Sequence, residues 1–327
     1  MAYWHDVYTT LYFEMSRDFK LCLLWLLFAL FSYLLYKTFD FGYFHGVTHS
    51  HPELSPLCKR MWNADKNRLF PGVDYKINPQ GEISQNSRQD RATYSLFTWV
   101  DPRVFERPTF KTFIALLDNY ESETGREEVV TQQEKGENQH FIDAIYETEP
   151  MKIAHEYLAG KGLVEAGQSQ FKKQLYDMWF TMYSRTGDKS FKDSSGFEHV
   201  FVGESQKKKA NVAGFHNWIQ FYLQEKKGLL DYKGFYPSRR EKHITREDWS
   251  MNKPLTVRFN WKGDLKRIGG SFIGTSPEFE MALCTVCFLA RKGDGRIDRI
   301  ELDDYDVIVK AHRFGANLLS TCYPINK

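Results

Sequence analysis

The 327-residue chain has little cysteine, five residues at positions 22, 58, 284, 287 and 322. That is too few for a disulfide framework, and the spacings match no zinc pattern. Excess charge is also scarce: 44 Lys and Arg stand against 42 Asp and Glu, a formal net charge of +2. Taken whole, such a balance argues against a nucleic-acid partner. There is no internal repeat, and all but one stretch lacks a long hydrophobic run, which excludes a multi-pass membrane protein. A hydrophobic content of 42% with 26% charged residues excludes wholesale disorder and a collagen-like chain. At roughly 100 to 200 residues per domain, the length gives one large or two modest domains with an ample core.

The one long apolar run is Leu21–Tyr36, sixteen uncharged residues flanked by Arg17 and Lys20 before and Lys37 after. A signal-peptide core runs to about 7–15 residues and ends at a small-residue cleavage site, whereas a spanning helix needs about 17–25. No A-x-A-like site follows, and the flanking lysines can snorkel to lengthen the span. The segment is therefore expected to be an uncleaved signal anchor, with a cleaved signal peptide and secretion, or a buried soluble helix, as alternatives. More cations before it than after it put residues 1–20 in the cytoplasm and the rest on the lumenal or extracellular side, a type II membrane protein. Residues 37–54 read as a juxtamembrane linker. Its His45, His49 and His51 have no supporting carboxylate or thiol and read as solvated rather than as metal ligands.

The balanced charge is an average over unlike halves. Residues 1–170 carry 17 positive and 23 negative groups, and residues 171–327 carry 27 and 19, giving net charges of −6 and +8. A basic half attracts a polyanion, although a solvated basic face has the same composition. The acidic part, 55–170, reads as mostly helical: Leu57, Met61 and Trp62 have helical spacing until Pro71-Gly72 breaks it, and Phe110–Tyr120, His140–Tyr146 and Pro150–Tyr157 resume it. The basic part, 171–327, reads as strands with two capped helices. Phe197–Val202 alternates as a strand, with His199 beside Phe197 and Phe201 and with Glu198 on the other face. Leu255–Trp261 is a second strand. Asn217 with Gln220, and Ser276-Pro277-Glu278, mark helix starts. Cys284 and Cys287 then share one face of a helix and read as small buried hydrophobes rather than a redox pair. The expected fold class is α+β: a mainly helical N-terminal part, then an antiparallel-sheet catalytic part, preceded by the one hydrophobic segment.

His199 and His216 are separated by the length of a strand, a turn and a return, which places both imidazoles on one cleft. With pKa values near ~6.5, such a pair can supply a general base and a general acid in one turnover. Beside a basic surface, that suits attack of a ribose 2′-hydroxyl on the adjacent phosphorus. One His removes the proton, the other protonates the leaving 5′-oxygen, and a cation offsets the growing charge. His216 sits at a helix N-terminus, which disfavours its imidazolium, so His216 is assigned as base and His199 as acid.

The residues that carry this chemistry resemble the signature blocks of the EndoU family of uridylate-selective endoribonucleases. The blocks are Ser195-Gly196-Phe197-Glu198-His199-Val200-Phe201-Val202-Gly203-Glu204, Gly214-Phe215-His216-Asn217-Trp218-Ile219 and Gly270-Ser271-Phe272-Ile273-Gly274-Thr275-Ser276-Pro277-Glu278-Phe279-Glu280. Trp62–Leu69 and Arg107–Phe110 agree as well, so the resemblance runs from about Ser55 to the C-terminus. It implies an endoribonuclease domain over 55–327 that cleaves single-stranded RNA 3′ of uridines. The product is a 2′,3′-cyclic phosphate, and Mn²⁺ generally helps the reaction. The implied catalytic residues are His199, His216 and a lysine just before the glycine-rich block, Lys266, with Lys262 as the alternative. Thr321 and Tyr323 resemble the uracil and ribose contacts of the family's closing strand and that of nidoviral enzymes, and share one strand face. Ser271 and Thr275 are further substrate contacts, Thr275 through the amides before a helix. Glu198 is assigned a supporting or metal-binding role, and no metal ligands are identified. Lys207–Lys209 and the run Arg239, Arg240, Lys242, His243 and Arg246 are expected to meet the RNA backbone. A monomer is expected. The competing reading is an RNA- or anionic-lipid-binding protein of this fold with little or no turnover.

Overall fold

A computed structural model describes residues 51–84, 89–185, 192–237, 254–290, 298–302, 305–315 and 317–325. The chain divides between His49 and Ser50, and the fold below is that of the second unit. Leu21–Tyr36, His45, His49 and the basic run from Arg239 to Arg246 lie outside the described residues. Among those described, no helix is long and apolar enough to cross a membrane.

The protein is α+β. The first helix, α1 (Leu54–Ala64), buries Leu57, Met61 and Trp62 as their spacing predicts. His51 caps its start, the Nδ1 atom accepting from the Leu54 amide at 3.0 Å, so this histidine serves the helix. Strands β1 (Tyr75–Ile77) and β2 (Phe97–Val100) pair antiparallel after the Pro71-Gly72 turn. Four helices follow: α2 (Pro108–Ala115), α3 (Gln132–Tyr146), α4 (Glu149–Gly160) and α5 (Gln168–Phe180). Thr131 and Glu134 form a reciprocal capping box that starts α3 ahead of the His140–Tyr146 spacing. Helix α5 runs across the Gln170/Phe171 charge boundary, which is a boundary of charge and not of structure.

Phe197–Val202 is not a strand. Glu198–Val202 forms one π-helical turn, closed by the Gly203 amide on the Glu198 carbonyl at 2.8 Å. The residue spacing fits both geometries: Phe197 and Phe201 share a strand face, but four residues apart they also share a helical face. Burial of the two rings decides for the turn. Both are fully buried, Phe197 against Phe113, Phe141 and Phe180, and Phe201 against Phe113 and Trp179, with centroids 5.0–5.8 Å apart. At about 1.5–3 kcal/mol per buried side chain, this exceeds what one short edge strand could recover. His199 is thereby turned away from the two phenylalanines.

Beyond the turn come β3 (Glu204–Gln206), a 3₁₀ turn at Lys207–Lys209, β4 (Asn211–Ala213) and α6 (Trp218–Lys226), which Asn217 caps by accepting from the Ile219 and Gln220 amides. Strands β5 (Leu230–Tyr236), β6 (Pro254–Trp261) and β7 (Asp264–Phe272) complete a five-stranded sheet of order β3-β4-β7-β6-β5, antiparallel except where β4 meets β7. Helix α7 (Pro277–Leu289) starts as predicted, the Ser276 side chain accepting from the Phe279 amide. A three-stranded antiparallel sheet of β8 (Asp298–Leu302), β9 (Tyr305–Phe314) and β10 (Leu318–Ile325) ends the chain.

The cysteines differ from the sequence expectation. Cys284 on α7 is joined to Cys322 on β10 by a disulfide, so it is not a plain core residue. Cys287 is buried with a free thiol, next to the buried thiol of Cys58.

Candidate active site

The two histidines meet because backbone replaces side chain at two glycines. The loop Gly214–His216 lies against the π-helical turn: the Phe215 amide donates to the His199 carbonyl at 2.9 Å and the His216 amide to the Val200 carbonyl at 2.7 Å. A Cβ on Gly214 would fall 1.7 Å from the His199 carbonyl oxygen, and Gly214 has a φ of +59°. Only glycine fits both the approach and the dihedral. Phe215 itself has a φ of +64°, a strained value for a bulky residue, held in place by its buried ring against Phe259 and Trp261. At Gly270 of β7 a Cβ would lie 2.1 Å from the Pro324 carbonyl oxygen, so β10 can cross β7 beside the site only because that Cβ is missing.

His199, His216 and Lys266 are 8%, 5% and 7% exposed, so burial governs their charge. The His216 Nδ1 lies 2.9 Å from the Gly270 carbonyl oxygen. A carbonyl only accepts, so Nδ1 carries the hydrogen and Nε2 keeps its lone pair. Burial, then the charges of Lys266 and His199, hold the His216 pKa well below the ordinary imidazole value. The ring is a neutral base. His199 differs through one partner: its Nδ1 lies 2.8 Å from Glu204 Oε2. Burial lowers its pKa too, but the Glu204 carboxylate opposes the loss, so the depression is weaker than at His216. Burial would raise Glu204, yet His199, Arg185 and Ser194 outweigh it and keep the carboxyl ionised. The Lys266 ammonium donates to the Gly214 carbonyl, and burial brings its pKa down to about 8.

Motif reasoning assigns no role to Glu204 or Arg185, although Glu204 closes the first signature block. The signal available was an acid five residues after His199 in a stretch with few other polar groups. After His199, Arg185 does most to keep that acid charged. Its Nε lies 3.1 Å from Glu204 Oε1, and the same guanidinium donates to Ser194 Oγ and to the Ser320 carbonyl on β10. Glu198 neither touches His199 nor carries charge. It is 1% exposed, its oxygens have no hydrogen-bond partner, and burial beside Glu204 pushes its pKa far up.

Of the two candidate lysines, the fold brings Lys266 to the histidines. Lys262 is on the exposed β6–β7 turn, donating to Ser122 Oγ at 2.8 Å. Tyr323 stacks on His216, ring centroids 4.5 Å apart and planes within 12°. Thr321, two residues earlier on β10, has a buried hydroxyl with no hydrogen-bond partner. Ser271 follows Gly270 on β7 and is nearly buried. Thr275 is fully buried and its hydroxyl donates to Glu280 Oε1 at 2.6 Å. Among the described residues, no three His, Cys, Asp or Glu side chains are grouped to share a metal ion. The acids beside the histidines do not supply a set either, since Glu204 is engaged and Glu198 is neutral. The described residues therefore do not fit a resident Mn²⁺.

A buried neutral base, a carboxylate-supported imidazole and a lysine around one point define an acid–base site suited to a phosphodiester. The chain matches the family described as Endoribonuclease XendoU over residues 53–324, and it belongs to that family. It is 47% identical over 278 residues to poly(U)-specific endoribonuclease-B of Xenopus laevis, covering 83% of this chain and 93% of that one. With uridylate-specific endoribonuclease B of Danio rerio the identity is 44% over 283 residues, 85% and 98% of the two chains. A solved structure of XendoU, described as a splicing independent snoRNA processing endoribonuclease, superposes with a TM-score of 0.74 at 44% identity, covering 85% of this chain and 98% of that one.

Proposed function

We propose that this protein is an endoribonuclease that cleaves single-stranded RNA at uridylates by attack of the 2′-hydroxyl, leaving a 2′,3′-cyclic phosphate. The observation that carries the reading is the unequal pair of imidazoles. His216 Nε2, with its lone pair fixed by the Gly270 carbonyl, takes the 2′-hydroxyl proton. His199, whose imidazolium Glu204 favours, protonates the leaving 5′-oxygen. Lys266, whose charge both imidazoles feel, is the cation that meets charge developing on the phosphorane. Thr321 supports uridine choice as an orphaned hydroxyl for the base edge. Tyr323 spends one ring face on His216 and offers the other for stacking. Any Mn²⁺ contribution is assigned to the RNA phosphates.

The test is an oligoribonucleotide with a single uridine, compared with the same oligomer carrying 2′-deoxyuridine there. Cleavage of the first alone, with a cyclic-phosphate end, is expected. Cutting both would remove the 2′-hydroxyl mechanism, and cutting neither would leave the binding-protein reading.

For location, we propose a type II anchor formed by Leu21–Tyr36, with the nuclease domain lumenal or extracellular. The Cys284–Cys322 disulfide supports it, since such bonds persist in oxidising compartments. Protease accessibility of the domain in sealed membranes checks the side, and the mass of the mature chain checks for cleavage of the segment.

A further inference from the structure

Three turns that carry lysines are tied together at one end of the five-stranded sheet. They are the 3₁₀ turn Lys207–Lys209, the end of α6 at Lys226-Lys227-Gly228, and the β6–β7 turn at Lys262-Gly263. The Lys262 amide donates to the Leu229 carbonyl at 2.9 Å, the Leu265 amide to the Ala210 carbonyl at 3.3 Å, and Lys207 Nζ to the Lys262 carbonyl at 2.9 Å. Lys262 feels the positive charge of Lys207 and of Lys227, and its pKa is lowered by burial and by both. The fold thus gathers like charges at one end of the sheet.

Counter-charge is only partial. Asp264 pairs with Lys207 at 2.9 Å, and Glu121 faces Lys262. Lys208, Lys209 and Lys227 are exposed, and among the described residues none of them has an ion pair. The patch is also close to the histidines. Strand β4 leads from it to the Gly214–His216 loop in three residues, about 10 Å at 3.3 Å per residue. Lys262 and Lys266 belong to one hairpin.

We propose that Lys207–Lys209, Lys227 and Lys262 form a phosphate track that holds the RNA flanking the cleaved uridylate, so that substrate length, beyond the uridine itself, sets affinity. The chemistry recognised is a phosphodiester chain without base preference. The inference rests on the endoribonuclease reading for its substrate, while its binding test does not.

The variant is Lys208→Glu with Lys227→Glu, compared with Lys208→Arg with Lys227→Arg, each checked for an unchanged melting temperature. Binding of a 16-nucleotide RNA carrying one 2′-deoxyuridine is measured by fluorescence anisotropy across a salt series. The Glu variant is expected to weaken binding at least tenfold at low salt, and to flatten the slope of log affinity against log salt by roughly 0.7 for each phosphate that is no longer neutralised. The Arg variant is expected to bind as the unaltered protein does. On cleavable substrates, kcat/KM should fall for the long oligomer and change less than twofold for a uridine dinucleotide. Unchanged binding of the long RNA would overturn the track and leave a solvated face. So would an equal loss on long RNA and dinucleotide, which would place the lysines in the catalytic centre. Loss of binding only to phosphatidylserine–phosphatidylcholine vesicles, with RNA binding intact, would assign the patch to a membrane surface instead. If the protein bound the long RNA through the patch yet cleaved nothing, the track would stand and the nuclease reading would fall.

Discussion

The Nδ1 of His199 sits 2.8 Å from Glu204 Oε2, while the Nδ1 of His216 sits 2.9 Å from the neutral carbonyl of Gly270. Two chemically identical rings, both buried, are thereby made unequal. A carboxylate behind one stabilises its protonated form, and a carbonyl behind the other fixes a tautomer without supplying a full charge.

The roles follow from this inequality. Replacing His216 by Ala should cost roughly 10²–10⁴-fold in kcat on an ordinary RNA and on a uridine phosphodiester with an activated leaving group. Replacing His199 by Ala should cost a similar factor on RNA but recover most of it on the activated substrate, because that leaving group departs without a proton. Single-turnover rates on the two substrates make the comparison, and recovery by the His216 variant instead would reverse the assignment.

The pH dependence should move with Glu204. Activity requires His216 neutral and His199 protonated, so His216 sets the acid limb of the kcat/KM profile and His199 the alkaline limb. The Glu204→Gln change removes the anion that opposes the burial-driven depression of His199. The His199 pKa should then fall, and the alkaline limb should move to lower pH. A kcat/KM profile that lost amplitude with unmoved limbs would reduce Glu204 to a packing role.

Gly214→Ala should abolish activity, since its Cβ would lie 1.7 Å from the His199 carbonyl oxygen at a φ of +59°. The cost is carried by the histidine loop, so the circular dichroism spectrum should remain near native while kcat falls by at least 10²-fold. An active Gly214→Ala enzyme would show that the loop can shift without separating the pair.

The Cys284–Cys322 bond closes a 38-residue separation. Chain entropy sets its contribution at up to about 4 kcal/mol. Cys284→Ser should therefore lower the urea midpoint, and a dithiol reductant should lower that of the unaltered protein to a similar value. Because Cys322 lies between Thr321 and Tyr323, KM for uridine substrates should rise with the loss. Identical midpoints with and without reductant would mean the bond is not formed.

Two buried carboxyls should contribute stability that falls with rising pH. Burial pushes Glu280 up to about 8, and burial with the nearby Glu278 pushes Asp65 up to about 7. A carboxyl whose folded pKa is raised contributes stability that is complete below its unfolded value near ~4 and lost as pH climbs through the folded value. Their share of the unfolding free energy should therefore decline between about pH 4 and pH 8, against the opposite slope from the depressed His216 and His199. Glu280→Gln should flatten that decline by at most about 4–5 kcal/mol, measured as denaturant midpoints across the range.

Local patterns settle much of this protein without any tertiary contact. Helix α7 is legible from Ser276-Pro277-Glu278, and α1 from the spacing of Leu57, Met61 and Trp62, because capping and amphipathic periodicity act within a few residues. The histidine blocks mark His199 and His216, and the glycine-rich block that follows favours Lys266. What fails to read is whatever depends on a partner distant in sequence. Phe197–Val202 folds as a turn because its rings meet Phe113, Phe141 and Trp179. Cys284 finds Cys322 only once α7 lies on β10. Glu204 becomes an anion rather than a neutral acid like Glu198 because Arg185 and His199 reach it and not its neighbour. Burial costs every ionisable group alike, and the charge that survives depends on which opposite groups the folded chain brings within a few ångströms. The sequence could name the chemical groups, but only the tertiary structure assigned them their protonation states.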